Sequence, residues 1–114
     1  YCSGVLHHIE WNHLGTVMNE IGRVLKPGGT FIFVEPRSSV AREIGHAVLL
    51  SPLARLTKNS AAMANCLRAE WPTYRVWLDC ERKGFLPLCE GNRFSLVESE
   101  RRLFTVAGVL RNEK

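Results

Sequence analysis

The sequence predicts an α/β fold on a largely parallel sheet, and three observations carry this prediction. Apolar side chains recur every three or four positions over residues 11–26, which indicates an amphipathic helix. Residues 27–29 (Pro-Gly-Gly) stop that helix. Residues 30–34 (Thr-Phe-Ile-Phe-Val) show no polar alternation, which is typical of a strand buried on both faces. With a strand end predicted over residues 2–6, these elements form a βαβ unit with a right-handed crossover.

Two helical regions are predicted after this unit. The first runs from Val40 to a break near Pro52, and a second stretch follows over residues 53–67. A further helix is predicted over residues 72–83, because proline suits a first turn and Gly84 can end the helix.

Two strands are predicted to complete the chain. Residues 85–89 are rich in apolar side chains, and Pro87 among them favours an edge strand. Residues 102–110 carry β-branched and aromatic side chains and predict the last strand.

The composition excludes several classes of protein. The chain has 114 residues, of which 46% are apolar and 23% charged, so a single folded domain is expected rather than a disordered segment. The net charge is +4, and the basic residues are scattered rather than clustered, so no nucleic-acid partner is expected. No apolar run approaches the ~20 residues of a membrane span.

The cysteines indicate a reducing compartment. Cys2, Cys66, Cys80 and Cys89 include no Cys-x-x-Cys pair, and a chain with this apolar content does not need disulfides to build a core. They are therefore predicted to be buried free thiols, and the protein is predicted to be cytoplasmic.

Three consecutive segments carry a resemblance to a known family. Residues 4–9 read Gly-Val-Leu-His-His-Ile, residues 23–29 read Arg-Val-Leu-Lys-Pro-Gly-Gly, and the next strand ends in Glu35-Pro36. In this order they resemble the middle of class I S-adenosylmethionine-dependent methyltransferases, most of all the small-molecule branch. The resemblance is close over residues 3–36 and sparse beyond them.

The resemblance implies a partial Rossmann-like, doubly wound sheet. The family sheet has seven strands in the order 3-2-1-4-5-7-6 with the last strand antiparallel, and residues 1–114 would supply strands 4-5-7-6. The chain has neither the glycine-rich turn after strand 1 nor the acidic residue that binds the cofactor ribose. It is therefore expected to be the C-terminal part of one methyltransferase domain, without its N-terminal cofactor-binding half and inactive alone.

The resemblance also implies a site at the carboxyl ends of the strands. Cys2, Ser3 and Gly4 would face the methionine part of S-adenosylmethionine. His7 and His8 would stand near the transferred methyl group, where imidazole suits a general base because its pKa is near neutral. Each histidine has the alternative of packing against the following helix.

Three other candidate roles have structural alternatives. Glu35 either orients substrate or accepts hydrogen bonds from backbone amides of the next helix, and the second role is favoured. His46 is expected on a helix face. Four residues at helical spacing line either an apolar substrate pocket or plain core: Met63, Trp71, Tyr74 and Trp77.

No metal site is predicted. His7, His8 and His13, with Glu10 between them, are ligand types for transition metals. Their spacing straddles a turn and a helix start, so the side chains need not converge.

Two functions are compatible with these patterns. The first is an enzyme that transfers a methyl group from S-adenosylmethionine to a small-molecule acceptor. The second is a non-catalytic half-domain that acts only as a packing or interaction module. A nicotinamide-dinucleotide domain shares the architecture, but neither the Leu-His-His segment nor the Lys-Pro-Gly-Gly turn supports it.

Overall fold

A computed structural model describes residues 1–114 as a four-stranded mixed sheet with helices packed on it. Short 3-10 turns occupy Leu6–His8 and Pro52–Leu56, and a π-helical turn occupies Glu81–Phe85. The strands and longer helices, in chain order, are β1 (Cys2–Ser3), α1 (Trp11–Val24), β2 (Thr30–Pro36), α2 (Val40–Leu50), α3 (Lys58–Cys80), α4 (Leu86–Gly91), β3 (Phe94–Arg101) and β4 (Thr105–Asn112).

The strands lie in the order β1-β2-β4-β3. β1 pairs in parallel with β2, and Ser3 lies opposite Val34. β4 runs antiparallel between β2 and β3, with Pro36 opposite Thr105. The α/β class, the β1-α1-β2 unit and the antiparallel last strand are confirmed. No helix has the length and apolar character needed to cross a membrane.

The first helix and its stop agree with the sequence pattern. Leu14 and Met18 are fully buried on one stripe of α1. The helix ends at Val24, and the turn that follows places Gly28 at φ 71°, a conformation that favours glycine. The Gly28 amide donates to the Asn112 carbonyl at 3.0 Å, which ties this turn to the end of β4.

The predicted separation of the helices over residues 53–67 and 72–83 is wrong, because α3 is one helix with Pro72 inside it. An interior proline costs about 3 kcal/mol since it removes one backbone hydrogen bond and crowds the preceding turn. The residues beyond Pro72 offset this cost, because Tyr74, Trp77 and Leu78 are all buried in the core. The Trp77 indole also donates to the Pro36 carbonyl at 2.8 Å, which fixes α3 over the end of β2.

The predicted strand at residues 85–89 is also wrong. Phe85 closes the π-helical turn and α4 follows directly. Pro87 stands in the first turn of α4, where its missing amide hydrogen has no partner to lose. The edge strand on this side of the sheet is β3, and its mostly polar and exposed residues show no strand pattern in the sequence.

The cysteines are all free, but they differ in exposure. Cys89 is fully buried, Cys2 and Cys80 are half-buried, and Cys66 is exposed on α3. The expectation of buried thiols therefore holds only for Cys89. Burial, with the neighbouring charge of Glu90, raises the pKa of Cys89 to about 12.

Thiol reactivity should separate two of these cysteines. The thiolate is the reactive form of cysteine. At pH 8 the exposed Cys66 is therefore expected to react in the fast phase of a reaction with a disulfide reagent, whereas Cys89 should react only after unfolding. A time course with Ellman's reagent measures both phases. The Cys66→Ser variant should lose part of the fast phase, whereas Cys89→Ser should leave it unchanged. A fast phase that depends on Cys89 would contradict the packing of α4.

Candidate functional site

A cavity of about 740 Å³ opens where the carboxyl ends of β1 and β2 meet α2 and α3. This is the edge at which open α/β sheets bind their ligands. Ser3 lines it from the end of β1, Gly4 and His7 line it from the segment that follows, and Glu35 lines it from the end of β2. The size of the cavity suits a small organic molecule.

Glu35 holds the turn after β1 in place. Its carboxylate is 1% exposed and accepts from the amides of Val5 and Leu6 at 2.9 Å each, and from the amide of His7 at 3.4 Å. The expected role of accepting backbone amides is present, but the expected location is wrong. The amides belong to the upstream turn rather than to the next helix, because β1 lies parallel to β2 and its turn passes over the end of β2.

The same carboxylate orients His7. Its Oε2 lies 2.8 Å from Nδ1 of His7, and both side chains are buried. Burial alone raises the pKa of a carboxyl group, but the hydrogen bonds from His7, Leu6 and Val5 outweigh it and hold the pKa of Glu35 below its ordinary value of 4.5. Because an ionised carboxylate only accepts, the contact places a proton on Nδ1, and in the neutral imidazole Nε2 then carries the lone pair.

Gly4 presents bare backbone to the cavity. Its φ is +65°, and its amide donates to the Val34 carbonyl at 2.9 Å. A Cβ at this position would meet no protein atom within 4 Å, so the space beside it is open. This arrangement lets a ligand approach the main chain closely.

The other predicted site residues lie beside the cavity. Cys2 is half-buried, with its Sγ 3.9 Å from Glu35 Oε1, and burial together with that carboxylate raises its pKa. His8 is exposed, and its ring stacks at 4.1 Å between centroids on the ring of His7. Neither residue lines the cavity itself.

The far wall of the cavity is polar, and its residue Arg42 was not predicted. Arg42 donates to the Tyr74 hydroxyl and to the Phe104 carbonyl. Burial raises the pKa of Tyr74, and burial together with the charge of Arg42 lowers the pKa of His46. His46 lies on a face of α2, as expected, and it is 7% exposed because α3 covers this face with Trp71 and Tyr74.

The remaining walls are apolar. Of the four residues considered for a pocket or for core, Met63 and Tyr74 line the cavity, Trp71 packs edge-on against His46, and Trp77 is core. Leu49 and Leu67 complete the apolar surface. The pocket and core interpretations are therefore each correct for part of the set.

The three histidines considered as metal ligands do not all converge, and His13 is the one that lies apart. His13 pairs with Glu10 at 3.6 Å on the exposed surface of α1, away from the cavity. The acidic residue that approaches the histidine pair is Glu70 of α3, and one potential ligand atom each from His7, His8 and Glu70 lie within 4.8 Å of one another. No spacing rule links residues 63 positions apart, so no pattern in the sequence pointed to Glu70.

Comparison with known proteins bears on the first part of this site. Residues 1–33 match the family model described as a methyltransferase domain. The match spans β1, the 3-10 turn, α1 and the start of β2. Among curated proteins, none matches the chain. The walls from α2 and α3 lie beyond the matched residues.

Proposed function

We propose that this chain is the C-terminal part of a class I S-adenosylmethionine-dependent methyltransferase domain that methylates a small molecule. The observation that carries the proposal is the cavity at the strand ends, bordered by the bare backbone of Gly4 and by the Glu35–His7 pair. The match over residues 1–33 supports the reaction class. The strand order β1-β2-β4-β3 agrees with strands 4-5-7-6 of the family sheet.

The proposed cofactor position follows from the turn after β1. Cys2 and Ser3 form the end of β1 beside the cavity and Gly4 follows directly, and the open space at Gly4 fits a ligand held through main-chain groups. S-adenosylmethionine supplies a methyl group on a reactive sulfonium when it is bound. The protein then has to align the acceptor with that group and exclude water.

The acceptor is proposed to lie between α2 and α3. Leu49, Met63 and Leu67 give it apolar walls. The free Nε2 of His7 faces no competing protein partner in the hydrogen-bond network and is proposed to accept the proton that an acceptor hydroxyl or enol must lose. Exposed His8, stacked on His7, is proposed as a second proton acceptor at the entrance.

The alternative is a non-catalytic half-domain that only packs against a partner. It would use the outer edge of β1, since β1 has a strand neighbour on one side only. This alternative gives no reason for an ionised Glu35 to orient a histidine at the cavity. It predicts that no cofactor binds.

A matched pair of glycine variants tests the proposal. Gly4 and Gly28 both have positive φ, and a Cβ at either one meets no atom within 4 Å. Alanine at either position therefore costs a similar 1–2 kcal/mol of backbone strain. In the protein expressed from the complete reading frame containing this chain, Gly4→Ala should weaken S-adenosylhomocysteine binding at least about tenfold, since 1.4 kcal/mol of lost contact suffices for that change.

Calorimetric titration measures both variants against the unmodified protein. Gly28→Ala should bind like the unmodified protein, because Gly28 lies at the opposite end of β2. Equal affinity in both variants would remove Gly4 from the cofactor site. No binding by the unmodified protein would favour the packing module.

A further inference from the structure

We infer that His7, His8 and Glu70 form a binding site for a divalent transition metal at the mouth of the cavity. Their potential ligand atoms lie within 4.8 Å of one another. The inference depends on these contacts alone and not on the proposed methyl transfer.

Two separate elements bring the three side chains together. The histidines are consecutive in the 3-10 turn after β1, and their rings lie 4.1 Å apart with a 36° tilt. Glu70 projects from α3, which packs against that turn, and it lines the cavity. Two imidazoles and one carboxylate are the ligand set of many catalytic zinc sites, which keep a fourth position open.

The buried Glu35 supports the metal site independently, because it orients His7. Metal-bound histidines usually donate their other ring N–H to a carboxylate, which fixes the tautomer and the ring direction. His7 has this arrangement without any ion, because its Nδ1 lies 2.8 Å from Glu35 Oε2 and both side chains are buried. The Nε2 lone pair is therefore preset for a metal.

Only a small movement of the side chains is needed to bring the three ligand atoms to the spacing that zinc requires. Zinc holds nitrogen and oxygen ligands at about 2.0–2.2 Å, which places neighbouring ligand atoms roughly 3.3 Å apart. His7 is fixed, whereas His8 is exposed and Glu70 half-buried, so both can change rotamer to close the site. The fourth position then faces the cavity.

Metal occupancy and proton acceptance exclude each other at His7. A bound ion uses the same Nε2 lone pair that the proposed methyl transfer requires. Zinc is therefore expected to inhibit methyl transfer in proportion to its occupancy, although binding itself can be measured without any activity.

Calorimetric titration with Zn²⁺ and absorption titration with Co²⁺ test the site directly. One ion per chain is expected, with visible Co²⁺ bands of a four-coordinate site. His8→Ala and Glu70→Gln should each weaken binding at least about tenfold, and Glu35→Gln about 10- to 100-fold through the orientation of His7. All proteins carry Cys66→Ser, so that the exposed thiol at the cavity cannot bind the ion.

His13→Ala is the matched control, since His13 is an exposed histidine paired only with Glu10. It should bind Zn²⁺ like the parent. Circular dichroism first establishes that the parent is folded. The inference is then overturned if no saturable binding occurs at up to about 1 mM Zn²⁺, since weaker binding would not indicate a specific site. Unchanged affinity in both His8→Ala and Glu70→Gln would overturn it as well.

Discussion

Glu35→Ala is expected to destabilise the protein by about 3–5 kcal/mol, because it leaves several hydrogen-bond donors without an acceptor and each buried one costs about 1–3 kcal/mol. The Glu35 carboxylate accepts from the amides of Val5, Leu6 and His7 and from the His7 ring. Alanine would leave these donors without a partner, and water cannot replace it because Glu35 is only 1% exposed. Since a domain of this size has only about 5–15 kcal/mol of stability in total, the turn after β1 should detach or the chain should unfold.

Urea denaturation followed by tryptophan fluorescence measures the loss, and Glu43→Ala is its control. Glu43 also forms an ion pair, with Arg75 at 3.0 Å, but both side chains are partly exposed. Its removal should cost less than about 1 kcal/mol, as for other surface pairs. Similar midpoints for the two variants would contradict the anchoring role of Glu35.

The second large effect is expected at His7. In His7→Asn the side-chain amide takes the place of Nδ1 and can still donate to Glu35, so the turn should stay folded. Asparagine has no counterpart of Nε2, however, and the proposed proton acceptor is lost. The rate of methyl transfer should therefore fall about 10²- to 10⁴-fold, the usual contribution of a general base.

The assay follows tritiated methyl transfer from S-adenosylmethionine into a small-molecule fraction, using the protein of the complete reading frame. S-adenosylhomocysteine affinity should change little in His7→Asn, which separates chemistry from cofactor binding. His13→Asn, at an exposed histidine on α1, should retain the parent rate. A His7→Asn protein with the parent rate and pH profile would exclude His7 as the base.

The elements in which apolar side chains follow a clear pattern were predictable from the sequence. The three-to-four spacing of Leu14 and Met18 identified α1, and the unbroken apolar run identified β2. Residues 85–89 were misassigned because a short apolar run fits a strand and a buried helix equally well. β3 was missed since exposed charges such as Glu98 and Glu100 dominate it. Pro72 suggested a helix start, but core packing on both sides keeps α3 continuous.

Site residues at the strand ends were predictable, because the order of the elements along the chain determines where they lie. Ser3, Gly4 and His7 follow a strand that ends at the ligand edge of the sheet, so their place at the cavity follows from the topology. Arg42 and Glu70 reach the cavity from α2 and α3. Their positions depend on how those helices pack across the strand ends, and local sequence does not encode that packing.

The cofactor is proposed to bind at the end of β1, beside the acceptor cavity. The most direct test is a crystal structure of the protein from the complete reading frame with S-adenosylhomocysteine. The predicted result places the homocysteine part against Ser3 and Gly4, with its sulfur facing the cavity next to His7. A cofactor bound elsewhere, with the backbone of Gly4 left open, would contradict it.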